Sequence, residues 1–195
     1  MNFEYLPRQT PIDAAEEEAL LLPLKTQKQL NEAEEANIIE ATTWALSKRK
    51  LGRPDPLNEE YLFELHRRML GEIWAWAGEP RMRDKNIGVP FFKIRIELRQ
   101  LLDDAKYWRE NKVYEPDELA LRFHHRLVTI HVFPNGNGRH ARLVADVLAR
   151  MMGRPEFTWG GTDFISEKEV RTRYLEALKS ADSGDYAPLI KFARE

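Results

Sequence analysis

Apolar residues recur at helical spacing along most of this chain, and proline and glycine mark where each run stops. Residues 26–48 place Leu30, Ala33, Asn37, Ile38, Ala41, Trp44 and Ala45 on one face, which predicts a long amphipathic helix. After the break at 51–56, Asn58 is positioned to cap a helix carrying Tyr61, Leu62, Leu65 and Met69, ended by Gly71 or the tryptophans that follow. The same periodicity returns over 94–111, 117–130 and 138–152. It returns again after Ser166 and, briefly, after Gly184. Near the start, Asp13 is a candidate cap for a short helix running toward Leu22, with Pro23 as its stop. Only 74–92 breaks the pattern. There Gly78, Pro80, Gly88 and Pro90 interrupt short β-prone pieces, which predicts a small β-hairpin in an otherwise all-α chain.

Composition narrows the possibilities. A chain of 195 residues, 43% hydrophobic and 32% charged, suits one compact globular unit. We divide it into an N-terminal segment, 1–50, and a main body, 51–195. The absence of cysteine removes disulfides, thiolate nucleophiles and cysteine-bound zinc, and fits a cytoplasmic protein. The opening residues have no basic region, and the apolar run 19–22 is far too short to span a bilayer, so neither export nor membrane insertion is expected. A net charge of -2 and the lack of a basic patch argue against nucleic acid as a direct partner. Any phosphate chemistry therefore has to come from a local constellation.

That constellation is the run His131-Val-Phe-Pro-Asn-Gly-Asn-Gly-Arg139-His-Ala-Arg142, at the join of two predicted helices. Gly136 and Gly138 let successive amides turn toward one point, and a helix N-terminus favours negative charge there. Arg139 and Arg142, three residues apart, share a helix face and suit a polyphosphate. His131, just before the loop, is placed to accept the proton of an attacking hydroxyl. Taken singly, each part has a plainer reading: a helix-end histidine as a cap, a glycine pair as a turn, two arginines as solvated surface. Their combination is what points to catalysis.

The run resembles the Fic motif, histidine–proline–phenylalanine, two residues, Gly-Asn-Gly-Arg, two residues, arginine. The stretch WAWAGEPR with NIGVPFFKI looks like the family's flap, the C-terminal DFISEKEVRTRYLEALKSADSGDYAPLIKF looks like its closing helices, and MNFEYLPRQTP resembles the subgroup called mobile mystery protein B. The resemblance implies a Fic fold, a helical bundle with a β-hairpin flap. It also implies a protein adenylyltransferase that moves AMP from ATP, with Mg²⁺, onto a hydroxyl of a target protein. His131 would be the base, Gly136, Asn137 and Gly138 the anion hole, Phe133 a core anchor, and Arg139 and Arg142 the phosphate clamps. The flap residues Ile87, Gly88 and Val89 would dock the target by strand addition. The subgroup adds a small helix-turn-helix companion protein as an expected partner.

Two positions depart from the pattern. Val132 replaces the usual proline and changes only stiffness. Asn135 stands where an acidic residue commonly holds Mg²⁺, and its neutral carbonyl is a weaker ligand for a hard cation. Family members also resemble one another in an inhibitory helix with a Ser/Thr-x-x-x-Glu-Gly/Asn motif. Its counterpart in this sequence is Asn31-x-x-x-Glu35-Ala36, with Glu35 expected to face Arg142 and with Glu32 and Glu34 close by. Two other readings stay open: transfer of a different nucleotide or phosphate-containing group, and a nucleotide-binding module without turnover. A P-loop is disfavoured, because no lysine follows the glycine loop and no strand precedes it.

Overall fold

The computed structural model describes residues 14–47, 49–51, 54–161 and 166–195. Their elements are α1 (Ala14–Glu17), α2 (Gln27–Leu46), α3 (Glu59–Leu70), a 3₁₀ turn (Phe91–Lys93), α4 (Ile94–Glu110), α5 (Pro116–Ile130), α6 (Asn137–Met151), α7 (Glu167–Asp182) and α8 (Ala187–Arg194). The helices form because local signals and the apolar face agree. Thr26 and Gln29 make a reciprocal capping box at the start of α2, and Asn58 and Ser166 cap α3 and α7 through their side chains. Asp13, the expected cap of the first helix, lies outside the described residues.

The antiparallel pair α5 and α6 is the centre. On α6, Ala141, Val144, Ala145 and Ala149 are fully buried, and these small residues let α5, α2 and α3 approach closely. Helix α4 packs on α5, while α7 and α8 pair with each other and close the other side of α5. Among the described residues no helix is long and apolar enough to cross a membrane.

Two expectations need correction. Helix α1 ends at Glu17 rather than near Leu22, because the chain there leaves the helix to pair with the segment after α3. Leu21 N donates to Ile73 O at 2.8 Å, and Ala75 N donates to Ala19 O at 2.9 Å, forming a single bridge between Leu20 and Trp74. The predicted hairpin over 74–92 contains no strand among the described residues; it is a series of turns. Gly78 and Gly88 both adopt left-handed φ, which breaks the extended run a strand needs. Backbone groups of this segment are met instead by two buried side chains: His66 accepts from Gly78 N, and Arg81 donates to Arg83 O and Val89 O.

The cap of α2 matters because that helix carries a residue toward the α5–α6 turn. Thr26→Ala should lower global stability by about 1 kcal/mol, the usual cost of a lost N-cap. Urea denaturation checks this, and an unchanged midpoint would mean that the first turn of α2 is not coupled to the core.

Candidate functional site at the α5–α6 turn

Helix α5 ends at His131, which takes a left-handed conformation with φ 56° and ψ 65°. The next helix starts after Gly136, also left-handed, so the chain reverses within residues 131–136. The amides of Asn137, Gly138 and Arg139 open the first turn of α6 and have no partner within that helix, which is the arrangement that attracts an anion. Gly136 is required by contact as well as by φ: a Cβ there would lie 2.7 Å from Leu70 Cδ1. His131, only 5% exposed, ends the helix that precedes this row of backbone donors.

Phe133 is fully buried and stacks on the His66 ring at 3.7 Å between centroids. Asn137 does not turn its side chain outward. Its Oδ1 accepts from Phe133 N at 2.9 Å and its Nδ2 donates to Phe133 O at 2.7 Å, so this amide braces the loop and leaves only its backbone for a ligand. Asn135 Oδ1 accepts from Gly136 N at 2.6 Å. The carbonyl expected to bind Mg²⁺ is thus already engaged, and among the described residues no group of three His, Cys, Asp or Glu is placed to hold a metal. The side chains present do not fit a protein-built Mg²⁺ site.

The two arginines diverge. Arg139 Nη1 donates to Glu34 Oε2 at 2.6 Å, and Glu34 Oε1 also accepts from Trp74 Nε1 at 2.8 Å. Arg142 instead lies over the Tyr174 ring, 5.6 Å from its centroid. The carboxylate that reaches the turn is therefore Glu34, not Glu35, and it meets Arg139, not Arg142. Glu35 is exposed. The reason is helical register: Leu30, Glu34, Asn37, Ala41 and Ala45 are the buried face of α2, and one residue further rotates a side chain about 100° away from it. Glu34 stands four residues after Leu30, so the signal was in the apolar periodicity itself.

His66 and Arg81 are the residues that sequence reasoning missed. His66 is fully buried on α3; its Nδ1 accepts from Gly78 N at 2.9 Å, so Nε2 carries the proton and donates to Asn135 O at 3.0 Å. Its place on the buried face of α3, four residues after Leu62, was a weak signal. Arg81 is 3% exposed and donates from Nε to His131 O at 2.7 Å; nothing in a glycine- and proline-rich segment announces such a contact. Of the expected flap residues, Ile87 and Gly88 are exposed, and Val89 N lies 3.4 Å from Ile130 O, so this stretch sits directly against the end of α5. A Cβ on Gly88, where φ is 103°, would come within 2.6 Å of His131 Cβ. A cavity of about 320 Å³ opens on the flap side, lined by Glu16, Ala19, Trp76 and Met82. It meets the motif only at Pro134, so it is separate from the row of amides.

Burial pushes the His131 imidazole down to about 4, helped by the nearby positive charges of Arg81 and Lys85. Lys85 Nζ in turn donates to Glu16 Oε2 at 2.6 Å, which ties α1 to this corner. At neutral pH the imidazole is therefore uncharged and able to take up a proton.

Comparison with known proteins follows the same residues. The Fic/DOC family model matches residues 56–149. The chain is 27% identical over 169 residues to a protein named protein adenylyltransferase Fic from Aedes aegypti, covering 85% of this chain and 32% of that protein. It is 31% identical over 135 residues to the protein of the same name from Drosophila mojavensis, covering 67% of this chain and 26% of that one. It thus spans a third or less of these relatives' length. Among solved structures, a BepC effector protein from Bartonella tribocorum, with bound AMPPNP, superposes with a TM-score of 0.68 at 19% identity, covering 93% of this chain and 97% of that one.

Buried neutral histidines give the fold a defined response to acid. Burial lowers His124 to about 3 and His131 and His140 to about 4, and places His66 well below its ordinary value of 6.5. His124, His131 and His140 therefore take up a proton at pH 5 only when the chain unfolds, and His66 shifts in the same direction. Buried Asp146, raised to about 6, acts oppositely and already holds a proton in the folded state at that pH. Unfolding at pH 5 should then take up protons on balance, so stability falls as pH drops from 6.5 toward 4. Urea midpoints measured across that window should decline steadily. A flat profile would show that these imidazoles are not held neutral.

Proposed function

Because the chain belongs to the Fic/DOC family, we propose that it is a protein adenylyltransferase, transferring AMP from ATP to a hydroxyl side chain of another protein. One observation carries the reading: a buried imidazole ends α5 in a left-handed turn that leads directly into the first-turn amides of α6, which have no partner within that helix, and Arg139 and Arg142 follow on that same helix. His131 takes the proton of the acceptor hydroxyl as its oxygen bonds to the α-phosphorus, and the bond to the bridging oxygen breaks as pyrophosphate leaves. The amides of Asn137, Gly138 and Arg139 receive the charge that gathers on the phosphoryl oxygens, where fixed donors act more strongly than water. Arg142 holds the terminal phosphate. The bound AMPPNP of the Bartonella relative supports a nucleotide donor for this fold. These side chains would not build a Mg²⁺ site of their own, since Asn135 offers only a carbonyl already bonded to Gly136 N, so any Mg²⁺ the transfer uses would have to be brought by the triphosphate. The segment at Ile87, Gly88 and Val89 receives the target.

The N-terminal segment acts as a brake through Glu34. Its carboxylate occupies Arg139, a donor that the phosphates need, and Trp74 holds the carboxylate in place. Phosphate and Glu34 compete for one guanidinium.

Intact mass spectrometry after incubation with ATP and Mg²⁺ tests both ideas. His131→Ala should abolish addition of AMP while leaving ATP affinity by calorimetry nearly unchanged, since the phosphate donors remain. Transfer at the wild-type rate in that variant would remove His131 from the mechanism. Glu34→Ala should raise transfer on the order of tenfold, the factor expected of a latch worth about 1.4 kcal/mol. Glu35→Ala should leave it unchanged, and Glu34→Ala combined with Arg139→Ala should stay low. Activation by Glu35→Ala instead would mean that α2 docks on the core in a different register.

A further inference from the structure

The end of helix α5 presents three successive carbonyls, those of Ile130, His131 and Val132, just where the helix can no longer use them. Arg81 meets all three. Its Nε donates to His131 O at 2.7 Å, its Nη2 reaches Ile130 O at 3.5 Å, and its backbone N donates to Val132 O at 2.9 Å. The same guanidinium donates from Nη2 to Val89 O and from Nη1 to Arg83 O, the latter at 2.8 Å. One buried planar cation thereby joins the residue proposed as base to the segment proposed to receive the target.

We propose that Arg81 is the positioning residue of the site, fixing both the left-handed turn at His131 and its distance from an acceptor hydroxyl laid across Gly88. This rests on the transferase reading above. The guanidinium has the shape the task needs, because its donors diverge in one plane toward carbonyls on two chain segments. A lysine supplies charge without that fork. Arg81 touches none of the amides at the start of α6, so its contribution lies in the placement of base and acceptor rather than in donor affinity.

The charges facing His131 come from the flap segment and from α1. Arg81 and Lys85 belong to the flap segment, Lys85 is paired with Glu16 of α1, and Asp84 lies 3.7 Å from Arg81 Nη1 on the exposed side. Removing the charge of Arg81 should therefore raise the titration midpoint of His131 from its low value of about 4, whereas Arg81→Lys should largely keep it.

The test uses the full chain with Arg81→Lys, Arg81→Met and Gly88→Ala, the last chosen because its Cβ would press on both His131 Cβ and Arg81 Nη2 at 2.6 and 2.8 Å. Thermal melts and calorimetric ATP binding accompany two readouts: rate of AMP addition, and the His131 imidazole titration followed by NMR without nucleotide. Arg81→Lys and Gly88→Ala should bind ATP as the wild type does and lose roughly 100-fold in transfer, the scale of a small misplacement of reacting groups. Arg81→Met should lose at least as much and shift the His131 midpoint upward. Wild-type transfer in Arg81→Lys, or an unmoved His131 midpoint in a folded Arg81→Met, overturns the proposal. If the wild type transfers nothing, the functional reading fails. The NMR titration and the His131 backbone shifts then still decide whether Arg81 sets that residue.

Discussion

A helix that stops in a left-handed residue and starts again across residues 131–136 exposes more backbone polar groups than two helix ends can satisfy between them. In this protein the deficit is met by side chains, two of them from sites distant in sequence and one from the turn's own edge, and the rest of the site follows from that. Arg81 takes the carbonyls at the end of α5, His66 donates to Asn135 O, and Asn137 closes on both polar groups of Phe133. Each partner is buried, where an unmet donor or acceptor is costly, so the turn has little freedom to relax. A rigid turn is also what a row of amides needs in order to act as a preorganised receptor for charge.

Electrostatics divides the turn into two halves. Around His131 the surroundings are apolar with cations nearby, which keeps the imidazole neutral. Around Arg139 a carboxylate from α2 balances the charge that the first turn of α6 would offer to an anion. Trp74 gives Glu34 a second bond, so the carboxylate is held rather than swinging in solvent, and the bridge between Leu20 and Trp74 draws the chain before α2 into the same arrangement. The N-terminal segment is therefore part of the packing around the site and not an appendage to it.

Similarity to relatives and similarity to solved structures bear on different parts of the molecule. The match to the Fic/DOC model covers α3 through most of α6, the elements that build the turn. The superposition at 19% identity speaks to the arrangement of helices. Arg81 and Arg139 lie within residues 56–149 and Glu34 before them, and the pairing of Glu34 with Arg139 and the fork of Arg81 are read from this chain's own side chains.

The sequence by itself determined the main helices, because capping residues and apolar faces are local and periodic: Asn58 and Ser166 mark starts that the structure keeps. It also determined the row of glycines and arginines after His131, since backbone freedom and charge at fixed spacing are legible without a fold. It misjudged residues 74–92, where short β-prone pieces promised a hairpin, because whether such pieces pair depends on what meets their backbone groups, and in this fold Arg81 from within the segment and His66 from α3 meet them instead of a partner strand. Which glutamate of three reaches an arginine was likewise a tertiary decision in practice. Glu32, Glu34 and Glu35 have the same chemistry; periodicity puts Glu34 on the face of Leu30, but the docking of α2 on α3 and α6 decides that this face meets Arg139 while Glu35 stays in water.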